Sequence, residues 1–537
     1  MSTFLTVLPF YTPPEHVRKD VLNKWLDTTR QWDILYGKFL HNHIAHNWIV
    51  LAAVVSEDKV EEKMKWWHET YIAHDIAGYT LEPARQITST MPTITSSNWE
   101  QFITYSPVNY PSYLNYFDEV IREKGYVAVV REHLPRLTAG LSGSALHPLI
   151  HLGLGLEAGH DAIIAEGLAC MCVAYGPLSL LPSVSDDSES VDQFYTTTAG
   201  TGTSSGSPPG ALGIIDSSLA FIKTATSPSK DLPAIAKAAA HLPSIQAYGM
   251  GEFGGRMLAF DEPSLPLGSS LNDLLPLLFP LSQGEHAPTT TTTPGAEGVD
   301  VFDADLGPAL TEATALIAAA YLASDNEFFV IHGATSLYSL IVTMLYLSPH
   351  QRRLALVYWW KACMAVLVAE NFPGVDKLGR ILGQWREGRH VALVMREDGV
   401  ADVVDTTTTE EGNEAGAKLL VTPVGGSRED VREEEEEEEW WKRALERSSC
   451  STDEHASKGV YVMWRWSLWP GTPVQSKTLF KQVAANQIRV PGRAPVISMQ
   501  NSSEEDNGGD NDSGVTSGGP PPGSAIHLPN QNIWFSG

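Results

Sequence analysis

Three nearly unbroken apolar stretches follow one another at 306–323, 327–346 and 351–370. They read as three consecutive core helices. Pro349 and Pro373 mark ends, since proline lacks a backbone donor and biases the preceding residue away from helix. The longest apolar runs, 309–323 and 354–369, are interrupted by Glu312 and Lys361, so neither reads as a membrane span. Helices of this kind have to bury themselves against one another. The expected fold class is mainly α, a multi-helix single globular domain with disordered low-complexity insertions.

The first 180 residues also read as packed helices, with glycine and proline as punctuation. Pro13-Pro14-Glu15 opens a helical pattern that runs through Leu26, and 33–55 and 59–79 follow. In the stretch 33–55, Leu35, Phe39, His43 and His46 fall on one helical face. Further helical patterns cover 98–105, 112–124, 211–224 and 232–241. Four segments break the periodicity. Ser/Thr/Gly-rich runs at 183–212 and 283–300 read as surface insertions, and 401–458, with the glutamates 433–439, reads as an acidic disordered insertion. Residues 501–525 read as a Gly/Ser/Asp/Pro-rich tail. The stretch 459–470 alternates Trp464, Trp466 and Trp469 in a strand-like way. The expected organisation is a helical catalytic domain over 1–400, completed by 459–500 after the acidic insertion.

Net charge of −27 argues against a nucleic-acid or anionic-membrane surface, both of which need clustered Lys and Arg. Cys170, Cys172 and Cys363 sit in apolar surroundings and no CxxC pair occurs, which fits a reducing compartment. The first residues have no basic region and a very short apolar run, unlike a signal peptide. A cytoplasmic protein is expected.

Chemistry is suggested by ionisable groups inside apolar segments. His147 and His151 stand four residues apart in an apolar run, on one helical face, a spacing that lets two imidazoles converge on a metal ion. Ser142 or Ser144 is the candidate cap of that helix. His43 and His46, three apart, also share a face; His46 is the expected ligand and His43 a catalytic neighbour. His332 follows Phe328-Phe329-Val330-Ile331 and gains weight as a ligand only from the others. Lys361 lies beside Tyr358, Trp359 and Trp360, where an ammonium is disfavoured. It can extend to the surface along its stem, act as a neutral base or nucleophile, or take up CO₂ to give a carbamate that binds metal. The expected metal ligands are therefore His46, His147, His151, His332 and Lys361. Glu157 and Glu166 are candidate carboxylates for orienting imidazoles. His41 reads as solvated, and His133, His160 and His455 as ordinary. Nucleotide-binding loops and the GxSxG elbow are absent.

The segments Asn42-His43-Ile44-Ala45-His46, His147-Pro148-Leu149-Ile150-His151-Leu152-Gly153 and Trp359-Trp360-Lys361 resemble the questin oxidase-like proteins of fungi. That resemblance implies oxidative ring opening of an anthraquinone or related aromatic polyketide in secondary metabolism. It implies Baeyer–Villiger oxygenation with NADPH. Imidazole ligands suit Fe(II) with positions open to O₂ and substrate. The expected partners are a small aromatic polyketide and O₂, with no nucleic acid and no membrane; oligomeric state is left open. Three other readings remain: a zinc-dependent hydrolase, a non-enzymatic helical binding protein with a structural histidine cluster, and a heme protein with an axial histidine, for which no CxxCH motif occurs.

Overall fold

Each of the three apolar stretches is a helix in the computed structural model. It describes residues 18–489 except 37–39, 74–80, 177–212, 228–229, 247–250, 263–305 (save 265 and 267), 325–327, 371–374, 389–391, 396–400, 405–428, 452–453 and 470–471. The insertions expected at 183–212 and 283–300, and the tail at 501–525, lie outside the described residues.

The first half contains α1 (Lys19–Leu26), a two-residue antiparallel pair β1 (Leu35–Tyr36) and β2 (Leu40–His41), α2 (Ile44–Val54), α3 (Val60–Ala73), α4 (Tyr110–Lys124), α5 (Tyr126–Leu137), α6 (His147–Ala158) and α7 (Asp161–Val173). Then come α8 (Ile214–Ala225), α9 (Leu232–Ala239), α10 (Pro243–Gln246), α11 (Gly251–Leu258), α12 (Leu306–Ala323), α13 (Phe328–Met344), α14 (Pro349–Ala369) and α15 (Val375–Arg386). A second pair, β3 (Ala392–Met395) and β4 (Ala401–Val404), precedes α16 (Glu429–Ser448), α17 (Glu454–Ser467) and α18 (Val474–Arg489). The fold is mainly α.

Local chemistry explains several boundaries. Ser348 and Gln351 form a capping box at the start of α14: each side chain bonds the other's backbone N–H, and Pro349 takes the first helical position. The helix expected over 33–55 begins only at Ile44. Asp33 accepts from the Leu35 N–H and Asn42 Oδ1 from the Ile44 N–H, so two short acceptor side chains divert the backbone before α2. Leu35 therefore lies on a strand, not on the helical face expected to carry it with His46, and Phe39 lies outside the described residues.

The acidic insertion is also corrected. Within 401–458, β4, α16 and the start of α17 are regular structure, and 405–428 lies outside the described residues. Glutamate is a good helix former, and the second half of α16 buries Trp441, Ala444 and Leu445. Residues 459–467, which alternate like a strand, belong to α17. Val460, Tyr461, Val462 and Met463 are all buried, so this helix is apolar round most of its circumference and the 3.6-residue period is erased.

α6 lies at the centre, packed between α7 and α13. Two glycines permit the approach. A Cβ on Gly153 would sit 2.5 Å from the Ser339 Cα on α13, and one on Gly167 of α7 would sit 2.7 Å from the Leu152 Cα. α17 packs on both α2 and α13, which ties the last helices of the chain to the first. The main core accordingly runs from Ile34 to Ala484. α12 is the one described helix long and apolar enough to cross a membrane; 72% of that window is buried, against α13, α15 and α18 among others.

Candidate metal centre

Four of these helices, together with β2, bring seven histidines into one buried region. His41 ends β2, His43 precedes α2, His46 lies on α2, His147 and His151 on α6, His332 on α13 and His455 on α17. All seven are buried. They form two groups, His43/His147/His332/His455 and His41/His46/His151, with donor atoms in each group within 4.8 Å of one another. The groups share a wall: the His41 ring stacks on His147 at 5.3 Å, and His43 lies 5.3 Å from His46.

The backbone before α6 is bent to serve this arrangement. Ser144, Ala145 and Leu146 all have positive φ (46°, 51° and 68°), a region L-residues rarely enter and which costs roughly 1–3 kcal/mol per residue. The bend carries the Ser144 carbonyl to His147, whose Nδ1–H donates to it at 2.5 Å. His147 Nε2 then carries the lone pair and lies 3.0 Å from His332 Nε2. Neither Ser142 nor Ser144 caps α6 by its side chain; the cap position is Leu146. In the other group, His151 sits between His46 (Nδ1 to Nε2, 3.1 Å) and Glu166 (Nε2 to Oε2, 3.1 Å). Glu166 is held in turn by Thr29 Oγ1 at 3.1 Å and Arg30 Nε at 3.3 Å. Arg30 is itself anchored to Asp118, 2.7 Å from NH2 to Oδ1.

Burial keeps four of these rings neutral. Burial lowers the pKa of His41, His43, His46 and His147 well below the ordinary 6.5, and neighbouring histidines and Lys458 lower it further. Neutral imidazole is the form that binds metal. His41 Nε2 and His46 Nδ1 are buried without a hydrogen-bond partner. Such atoms are uncommon in folded proteins. The chain's donor set thus fits a transition-metal ion with nitrogen ligands.

Of the residues singled out from sequence, His43, His46, His147, His151 and His332 all enter this region, divided between the two groups. Lys361 is fully buried in α14, so its amine does not reach solvent along its stem. On the same helix, Trp359 donates to Ser336 of α13 and Cys363 lies beside Gly333. Glu166 does orient an imidazole. Glu157 instead accepts from Tyr461 at 2.6 Å and from Tyr338, linking α6, α13 and α17 behind the histidines.

Three residues escaped the sequence reading. His41 was read as solvated and His455 as ordinary, yet both are cluster members. Lys458, 2% exposed, is the amine whose charge bears on His41, His43, His46 and His147. The available signal was the His455/Lys458 spacing of three, on one face of a helix that runs into the apolar stretch 460–464. His133 is a satisfied core histidine, bonded to Tyr116 and the Val129 carbonyl.

Residues 40–246 match the family model described as Questin oxidase-like. That match covers less than half of the 537-residue chain. The questin oxidase-like region contributes His41, His43, His46, His147, His151 and Glu166, while His332 and His455 come from beyond it. A questin oxidase of Aspergillus fumigatus is 42% identical over 67 residues, which is 11% of this chain and 15% of that protein. A Baeyer–Villiger oxidase of Pestalotiopsis fici is 41% identical over 68 residues, again 11% and 15%. Another, from an Aspergillus species, is 40% identical over 65 residues, 11% of this chain and 16% of that protein. The matched stretch therefore covers about 15% of the length of these relatives.

Proposed function

We propose that the protein is a metal-dependent oxygenase that opens the ring of an anthraquinone or a related aromatic polyketide. The observation that carries this reading is the burial of seven histidines in one region, most of them within the questin oxidase-like stretch. The names of the similar proteins support an oxidase of Baeyer–Villiger type. His43, His147, His332 and His455 would hold the ion. Iron(II) is the proposed metal: when bound, it supplies O₂ activation at positions the protein leaves open.

The chain's own residues do the rest. Ser144 fixes the His147 tautomer, so that Nε2 carries its lone pair. Dense apolar packing around the cluster excludes bulk water, which protects a reactive oxidant from side reactions. Lys361 and Lys458 are two buried amines. Lys361 remains our candidate for an anionic ligand, as the carbamate of its neutral amine. His43, expected as a catalytic neighbour of the ligands, is proposed here as one of them.

Electron balance divides the chemistry in two. Insertion of one oxygen atom next to a carbonyl, with the other atom leaving as water, needs two electrons, and NADPH is the reductant we propose for that route. Incorporation of both atoms needs none. The test is metal analysis of anaerobically purified protein, then oxygen uptake with an anthraquinone, with and without NADPH. We expect iron in the wild type, loss of iron and of uptake in His147→Ala, and a ring-opened acid or ester as product. Zinc with substrate hydrolysis and no oxygen uptake would favour a hydrolase. Full turnover by chelator-stripped protein would overturn the metal-dependent reading.

A further inference from the structure

We infer that the histidine region binds two metal ions side by side, the second held by His41, His46 and His151. This deepens the proposed metal centre and rests on it. One ion of the kind that binds imidazole takes four to six ligands, and the first group already offers four. The other three histidines belong to none of those positions; they are a separate group with donor atoms within 4.8 Å of one another.

Each ring of that second group has its own orientation. His41 Nδ1 lies 2.9 Å from the Asn42 carbonyl, which accepts only from an N–H, so the lone pair is on Nε2. That Nε2 is buried and has no hydrogen-bond partner. His151 Nε2 faces the Glu166 carboxylate at 3.1 Å, so its proton is there and the lone pair is on Nδ1. His46 turns Nε2 to within 3.1 Å of that Nδ1 and buries an unpartnered Nδ1 behind it. A carboxylate bonded to the far nitrogen of an imidazole is the usual support of a metal-bound histidine. Glu166 has this position, and Thr29 and Arg30 hold it there. The ions would be neighbours, because His41 stacks on His147 across the boundary between the groups.

The purified protein, stripped with chelator, is reloaded with Fe(II) under nitrogen, desalted and analysed for iron, with circular dichroism to verify folding. We expect about two irons per chain in the wild type and about one in His41→Gln. Glu166→Gln conserves shape and is the second variant; it should weaken only the second iron, by about 10–100-fold. Mn(II) loaded in place of iron should give an exchange-coupled electron paramagnetic resonance spectrum in the wild type and an isolated-ion spectrum in His41→Gln. One iron in the wild type, unchanged in both variants, would overturn the second site and leave the first standing. No iron in any form would overturn both.

Discussion

Two buried histidines, His455 and His133, show how much the partner of a ring decides. His133 has both nitrogens occupied, by the Tyr116 hydroxyl and the Val129 carbonyl, and stands apart from the cluster. His455 lies 5.0 Å ring to ring from His332 and 5.1 Å from His43, with its donor atom in the four-histidine group. His455→Ala is therefore expected to lose iron from that group with the fold retained. His133→Ala is expected to keep its iron and to lose about 1–3 kcal/mol of stability, because the Tyr116 hydroxyl is left without its buried partner. Iron analysis and thermal melts of the two variants check this, and equal iron contents would contradict it. Sequence spacing picked out His147/His151 and His43/His46, since a pair three or four apart on a helix carries a signal of its own. His41 and His455 have no histidine partner at such a spacing: the first lies on a two-residue strand, and the second follows a run of glutamates whose charge argued for solvent. What gives them a role is a contact across more than a hundred residues of chain, which no local pattern encodes.

α6 supplies two histidines, and its position depends on residues with no side chain. Gly153 lets α13 approach, and through it His332 meets His147. In Gly153→Ala the new methyl group would fall 2.3 Å from the Ser339 Cβ and 2.5 Å from its Cα, a collision with backbone that no rotamer relieves. Overpacking of this kind costs about 1–3 kcal/mol. The helices would part, so a lower melting temperature together with weaker iron binding is expected; a variant with wild-type stability and iron affinity would show that the contact does not position the ligands. Helices 306–323 and 351–370 were plain from composition because apolar runs of that length have few other solutions. The elements that were misread failed for opposite reasons. The residues before α2 look periodic, but Asp33 and Asn42 divert the backbone at Leu35 and Ile44, while 429–448 and 454–467 look too charged or too alternating for helix and are held in that form by burial of Trp441, Tyr461 and Trp466. Local side-chain hydrogen bonds override the periodicity in the first case, and tertiary burial overrides the composition in the second.

Gathering so many imidazoles in the interior makes stability depend on pH. His41, His43, His46 and His147 have folded-state pKa values well below 6.5, chiefly from burial. The unfolded chain thus binds their protons more readily than the native one. Their contribution is fully present above pH 6.5 and is lost as pH falls below it toward the lowered values. Each adds a slope of about 1.4 kcal/mol per pH unit, so the four together give up to about 5 kcal/mol per unit. A protein whose total stability is about 5–15 kcal/mol tolerates roughly one to three such units. Metal-free protein is therefore expected to lose stability steeply between pH 6.5 and 5. Iron-loaded protein should hold to lower pH, because the ion binds the neutral rings and competes with protons. Urea denaturation at pH 7.5, 6.5, 5.5 and 5.0, with and without iron, measures both slopes. In a His43→Gln/His46→Gln chain without metal the slope should be shallower by about 3 kcal/mol per pH unit, since two of the four titrating groups are gone. A metal-free slope that stays flat from pH 7.5 to 5.0 would mean that the rings are not held neutral in the folded chain, and the burial on which the whole centre depends would have to be abandoned.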